Sequence, residues 1–95
     1  PSEPLRGLSY IKIALFFMYF VYIIYSDTFD LFYKGVTEHL EKRLFEHNND
    51  FSRYTSKKGP WKLVYSQAFE NKSEALKEER RFKKLNRQSI VALIG

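Results

Sequence analysis

The chain is 95 residues long, enough for one domain with a modest core and too short for two. It has no cysteine, which excludes disulfide staples and thiolate zinc sites, and with only two histidines any bound metal would be a hard cation on oxygen ligands. Sixteen basic against eleven acidic residues give a net charge of +5, and the excess lies in residues 51–95, which carry eleven basic and four acidic side chains.

Leu8 to Tyr25 is almost continuously apolar, broken by Ser9 and Lys12 with Arg6 upstream, and in outline it looks like a signal peptide or a short membrane span. Its second half, Tyr19 to Tyr25, is β-branched and aromatic, and no small-residue cleavage site precedes Ser26 and Asp27. The segment therefore reads as a buried strand with an apolar leader, which disfavours a membrane-attached protein. The chain opens on Pro1 and its single methionine is Met18, so residues 1–17 are expected to be an extension or leader and residues 18–95 the domain.

Tyr19 to Tyr25 is the first predicted strand, Ser26 to Thr28 with Asp30 the turn, and Leu31 to Val36 the second strand. The short polar linker makes the two an antiparallel hairpin. Thr37 can cap a helix running to about Asn48, with Glu38 and Glu41 near the positive end of its dipole and Leu40, Leu44 and Phe45 as its core face. Asn48 through Pro60 is polar, basic and loop-like, and Trp61 to Phe69 returns to strand character. Asn71 with Glu74 three residues on is a capping-box pattern, opening a basic helix over Lys72 to Asn86. Ile90 to Ile94 is predicted as a short apolar turn that covers the sheet.

One residue breaks the pattern of that basic helix. Ala75, Leu76 and Phe82 recur at helical spacing, and Glu79 falls inside their stripe. A buried carboxylate needs a metal or a basic partner, whereas a carboxylate at the edge of the stripe reaches solvent on its own stem. Elsewhere, Tyr22 lies on the first strand, Tyr33-Lys34-Gly35 closes the second, and Arg43 and His47 are four apart on one helix face. Each has an ordinary structural explanation: sheet aromatics, a strand-end glycine, an ion pair of Arg43 with Glu46, and a histidine favoured by the helix C-terminus.

Taken together, these residues resemble the GIY-YIG nuclease family, in particular its small stand-alone members, which are similar to the nuclease module of the UvrC excision-repair subunit. Phe20-Val21-Tyr22 stands for the first motif and Tyr33-Lys34-Gly35 for the second. Arg43 follows Gly35 by eight residues, and His47 completes the Arg-x-x-x-His sequence. Glu46-His47-Asn48, Tyr54-Thr55 and Gly59 through Tyr65 look like the small members, and Ala75-Leu76-Lys77-Glu78-Glu79 matches Ala-Leu-x-x-Glu with Glu79, not Glu78, at the metal-binding position. Phe20 replaces a glycine and Lys34 an isoleucine, and the family's C-terminal asparagine has no equivalent beyond Asn86. The resemblance implies an α/β fold of the α+β kind, a small central antiparallel three-stranded sheet flanked by helices.

It also implies a metal-dependent endonuclease acting on nucleic acid, DNA favoured over RNA, with a link to DNA repair and a cytoplasmic location. The alternative is a nucleic-acid-binding module that keeps the fold and has lost the chemistry. On the first reading, Glu79 binds a divalent cation, Mg²⁺ or Mn²⁺. Tyr33 stands beside the attacking water, Tyr22 hydrogen-bonds the phosphate or supports the same network, and Arg43 holds the phosphate through its guanidinium fork. His47 transfers a proton or orients Tyr33. A phenol works as a base at neutral pH only beside positive charge, which the metal, Arg43 and Lys34 would supply. Arg53, Lys57, Lys58, Arg80, Lys83, Lys84 and Arg87, with Lys34, would contact backbone phosphates without reading sequence, leaving recognition to substrate structure, damage or a protein partner.

Overall fold

The computed structural model describes residues 18–95, and the extension expected over residues 1–17 lies outside the described residues. The apolar run beginning at Tyr19 becomes the middle strand of a three-stranded antiparallel sheet. Its order is β2-β1-β3, with β1 at Tyr19–Ser26, β2 at Leu31–Thr37 and β3 at Trp61–Phe69. A central strand covered on both faces can be apolar without alternation, which is why Val21 to Ile24 are all buried. The predicted hairpin is present, with Tyr22 opposite Gly35 and Ile24 opposite Tyr33. Asp30 takes a left-handed backbone at the turn, and its carboxylate accepts the Tyr25 hydroxyl at 2.6 Å.

Alternation along β1 sorts the two faces. Val21 and Ile23 join Ala75, Phe82 and Ile90 in one core under the helices α2 (Lys72–Lys83) and α3 (Arg87–Ile94). Tyr22 and Ile24 join Trp61 on the other face, with Tyr33 and with Leu40 and Leu44 of the helix α1 (Leu40–Asn48) packed against them. A register shift in the β1–β3 ladder between Ile23 and Ile24 marks a bulge near Val64. The predicted fold class is borne out: among the described residues there are three antiparallel strands with three helices around them.

Four local expectations need correction. Thr37 does not cap α1; it ends β2, and its hydroxyl accepts the His39 N–H at 3.1 Å, so the helix starts at Leu40 without a side-chain cap. Phe45 is exposed, not core, because α1 buries only the stripe that continues from Leu40 through Leu44 to His47. The basic helix stops at Lys83, three residues short of Asn86, whose side chain instead accepts the Ser89 N–H at 2.8 Å and caps α3. The apolar turn expected at Ile90 to Ile94 is thus the second half of an eight-residue helix. Asn71 caps α2 as predicted, accepting the Glu74 N–H at 2.8 Å.

Candidate active site

The Tyr22-bearing face of the sheet is polar at one place. His47 lies three residues after Leu44 and seven after Leu40, so the helix period carries it into the apolar stripe of α1 and beneath the sheet, where it is 0 % exposed. Its Nε2 is 2.8 Å from the Tyr22 hydroxyl, and its Nδ1 is 2.7 Å from Thr55 Oγ1. The Tyr33 ring packs on the same imidazole at 5.0 Å between centroids, and the two tyrosine rings are 6.5 Å apart. Tyr22, Tyr33 and His47, predicted from three separate elements, therefore form one cluster.

His47 pairs with Tyr22, however, and touches Tyr33 only through its ring. It is also a poor proton carrier near neutrality: burial, with the Arg43 charge added, pushes its pKa down to about 4, against a smaller opposing pull from Glu46. The Tyr22 hydroxyl is equally enclosed, and burial pushes its pKa up to about 12, with the nearby Arg43 acting the other way and Tyr33 and Glu79 raising it further. Both groups are neutral over the physiological range. The Tyr33 hydroxyl has no hydrogen-bond partner among the described residues, which leaves it available to a substrate or a water.

Arg43, one turn before His47, sends one guanidinium nitrogen to Glu46 at 3.1 Å and the other to Ser52 Oγ at 3.5 Å. It is half-buried, and its guanidinium acts on both Tyr22 and Tyr33. The loop between α1 and β3 thus closes the cluster from below with Ser52 and Thr55, both buried. Trp61 holds that loop in place by donating its indole N–H to the Thr55 carbonyl at 3.1 Å, and Asn48 pins Trp61 through two hydrogen bonds at 2.6 and 2.9 Å. Sequence reasoning assigned no role to Ser52 or Thr55, because loop residues have no periodicity from which burial can be read. The burial of His47, by contrast, was legible in the spacing Leu40, Leu44, His47.

Glu79 approaches from α2. Its side chain is 17 % exposed, its carboxylate meets Lys83 Nζ at 3.5 Å, and its charge reaches Tyr22. The carboxylate is largely covered and a basic partner one turn away meets it, as expected of a carboxylate inside the stripe and unlike one that reaches solvent from its edge. Glu78 is covered to a similar degree but pairs with Arg81. Lys34 lies on β2 beside Tyr33, and burial together with the Lys83 charge holds its ammonium below the usual lysine range. Arg80 and Lys83 on α2 and Lys84 at its C-terminal cap are exposed, and Arg53, Lys57 and Lys58 are exposed on the loop. Arg87 sits apart from these, its guanidinium bound to the Asp30 carboxylate and stacked over Phe32 at 5.2 Å.

The chain is similar to known proteins over most of its length. The GIY-YIG catalytic domain matches residues 18–90. A UPF0213 protein of Clostridium perfringens is 46% identical over 79 residues, covering 82% of this chain and 84% of that protein. One from Staphylococcus saprophyticus is 39% identical over 81% of this chain and 94% of its own. The solution structure of a UPF0213 protein from Bacillus halodurans, 31% identical, superposes with a TM-score of 0.53 over 81% of this chain and 82% of that one. Among the described residues no helix is long and apolar enough to cross a membrane.

Proposed function

The chain belongs to the GIY-YIG catalytic domain family, a nuclease superfamily, and from that membership we propose that it is a metal-dependent endonuclease that hydrolyses phosphodiester bonds in nucleic acid, DNA in preference to RNA. The observation that carries this reading is the convergence of Tyr22, Tyr33 and His47 from two strands and a helix, with Arg43 acting on both phenols.

The donor set fits a hard divalent cation. Glu79 is a single, largely covered carboxylate whose charge reaches Tyr22. That suits Mg²⁺ or Mn²⁺, which keep most of their waters and accept one carboxylate together with phosphate oxygens. When bound, the cation supplies positive charge for the phosphoryl and leaving oxygens.

The side chains carry the remaining work. Arg43 binds the scissile phosphate and stabilises the charge that builds on it in the transition state. The oxygen of the attacking water bonds to phosphorus as its proton passes to the Tyr33 oxygen, the phenolic proton of Tyr33 having gone to solvent, the ester P–O bond breaks, and the departing oxygen takes a proton from solvent. Tyr22, neutral and tied to His47, orients the site. The exposed lysines and arginines of α2 and the loop add affinity through backbone phosphates, so the substrate is selected by its structure, by damage, or by a targeting protein.

A second reading is a nucleic-acid-binding module without the chemistry, and one contact favours it: the Lys83 ammonium lies against Glu79, on the carboxylate a metal would need. Incubating the protein with branched, single-stranded and duplex DNA and RNA, with and without Mg²⁺ or Mn²⁺, separates the two. Cleavage that requires metal supports the nuclease; binding with no cleavage of any substrate supports the module.

A further inference from the structure

Both ring nitrogens of His47 are committed inside the protein, and the donors and acceptors around them decide which one carries the proton. Thr55 Oγ1, 2.7 Å from Nδ1, also lies 3.5 Å from the Ser52 carbonyl, which can only accept. With the threonine hydrogen turned to Ser52, Oγ1 is free to accept from Nδ1–H. On the other side of the ring, the guanidinium of Arg43 has donors and no acceptor, so toward the Tyr22 oxygen it can only donate. The hydrogen of the Tyr22 hydroxyl then has one acceptor within reach among the described residues, His47 Nε2. The opposite tautomer would leave that hydrogen buried and unpaired, since Tyr22 is 2 % exposed.

We propose that Thr55 is a positioning residue that holds His47 as the Nδ1–H tautomer, so that Nε2 accepts the Tyr22 hydroxyl and the lone pairs of the Tyr22 oxygen are left to Arg43. The effect on cleavage rests on the nuclease reading; the tautomer does not. The groups facing the imidazole are Arg43 and Glu46 on its own helix, Tyr22 and Tyr33 on the sheet, and Thr55 on the loop; of these only Glu46 favours a charged ring, and burial with the Arg43 charge outweighs it. The two buried hydroxyls of this loop, three residues apart, thereby gain a purpose, with Ser52 bracing Arg43 and Thr55 bracing His47.

The test is a long-range ¹H–¹⁵N correlation spectrum of the ¹⁵N-labelled full chain, with His47 distinguished from the other histidine by His39→Gln. Wild-type His47 is expected to carry its proton on Nδ1 throughout about pH 5 to pH 8. Thr55→Val removes the acceptor at Nδ1, so that each tautomer strands one buried hydrogen, Nδ1–H or the Tyr22 O–H; the single Nδ1–H form should give way to a mixture of the two, with kcat falling roughly tenfold or more and KM unchanged. Thr55→Ser should restore the single tautomer and kcat. Should Thr55→Val fail to fold, Thr55→Cys, whose thiol is a much weaker acceptor, carries the same expectation in smaller degree. A wild-type ring protonated on Nε2, or a tautomer indifferent to Thr55→Val, overturns the proposal. A wild type that cleaves nothing removes the nuclease reading and leaves the tautomer to be decided by the spectrum.

Discussion

A Cβ added to Gly35 would lie 2.5 Å from the hydroxyl oxygen of Tyr22, its partner directly across the β1–β2 ladder. The phenol occupies the space that the missing side chain leaves, and it is held there at its far end by His47. Glycine at this position is therefore a requirement of close approach, independent of any special backbone angle.

Gly35→Ala should consequently displace the Tyr22 ring, break its hydrogen bond to His47 and cost about 1–3 kcal/mol of stability through overpacking. Chemical denaturation measures the stability. Cleavage should fall further than the lost stability accounts for, when measured at temperatures where the variant remains folded; a variant with wild-type activity would show that Tyr22 need not be held in this position.

Glu79 and Glu78 are covered to similar degrees but face different partners, Lys83 and Arg81. Glu79→Gln should lower metal-dependent cleavage by roughly a hundredfold or more while leaving metal-free nucleic-acid binding intact. Glu78→Gln should leave cleavage nearly unchanged. Glu79→Leu extends the apolar stripe of α2 and frees Lys83 to reach water, so it should raise the melting temperature and abolish cleavage. Activity surviving in Glu79→Gln would remove this residue from the site.

Stability should fall with acid because of His47. Its pKa is lowered on folding, from the ordinary 6.5 to about 4, so between those values the unfolded chain binds the proton and the native chain does not. The contribution is fully present above about pH 6.5 and is lost as the pH drops through the folded value, by about 3 kcal/mol in all. Urea midpoints measured from neutral pH downward should decline more steeply in wild type than in His47→Gln. Tyr22 acts at the other end: its raised pKa makes its contribution present below about 10 and lost as the pH climbs toward about 12.

Nucleic-acid binding should weaken steeply with salt, by about 0.9 in log-log slope for each phosphate contacted on duplex DNA. Reversing Arg80 and Lys84 to Glu should flatten the slope without disturbing Glu79, which pairs with neither in the structure. Arg87→Gln should change the slope least among the basic helix residues, because its guanidinium is already occupied by Asp30 and Phe32. Equal effects from all three substitutions would mean that Arg87 leaves Asp30 when nucleic acid binds.

Local chemistry made much of this protein legible in its sequence. The hairpin, the third strand, the Asn71 cap and the apolar stripe of α2 follow from side-chain period and turn residues, and motif spacing led to Tyr22, Tyr33, Arg43, His47 and Glu79. Periodicity reports which face of an element a residue occupies, not what meets that face. Only the tertiary structure decided that His47 binds Tyr22 and not Tyr33, that Thr55 closes the other side of its ring, that Asn86 caps a new helix, and that Arg87 belongs to the hairpin turn. Apart from the Asn86 cap, which is local, those outcomes depend on contacts between residues 8 to 57 positions apart and on a loop without regular period, where partners are chosen by sheet register, burial and the need to satisfy every enclosed donor and acceptor.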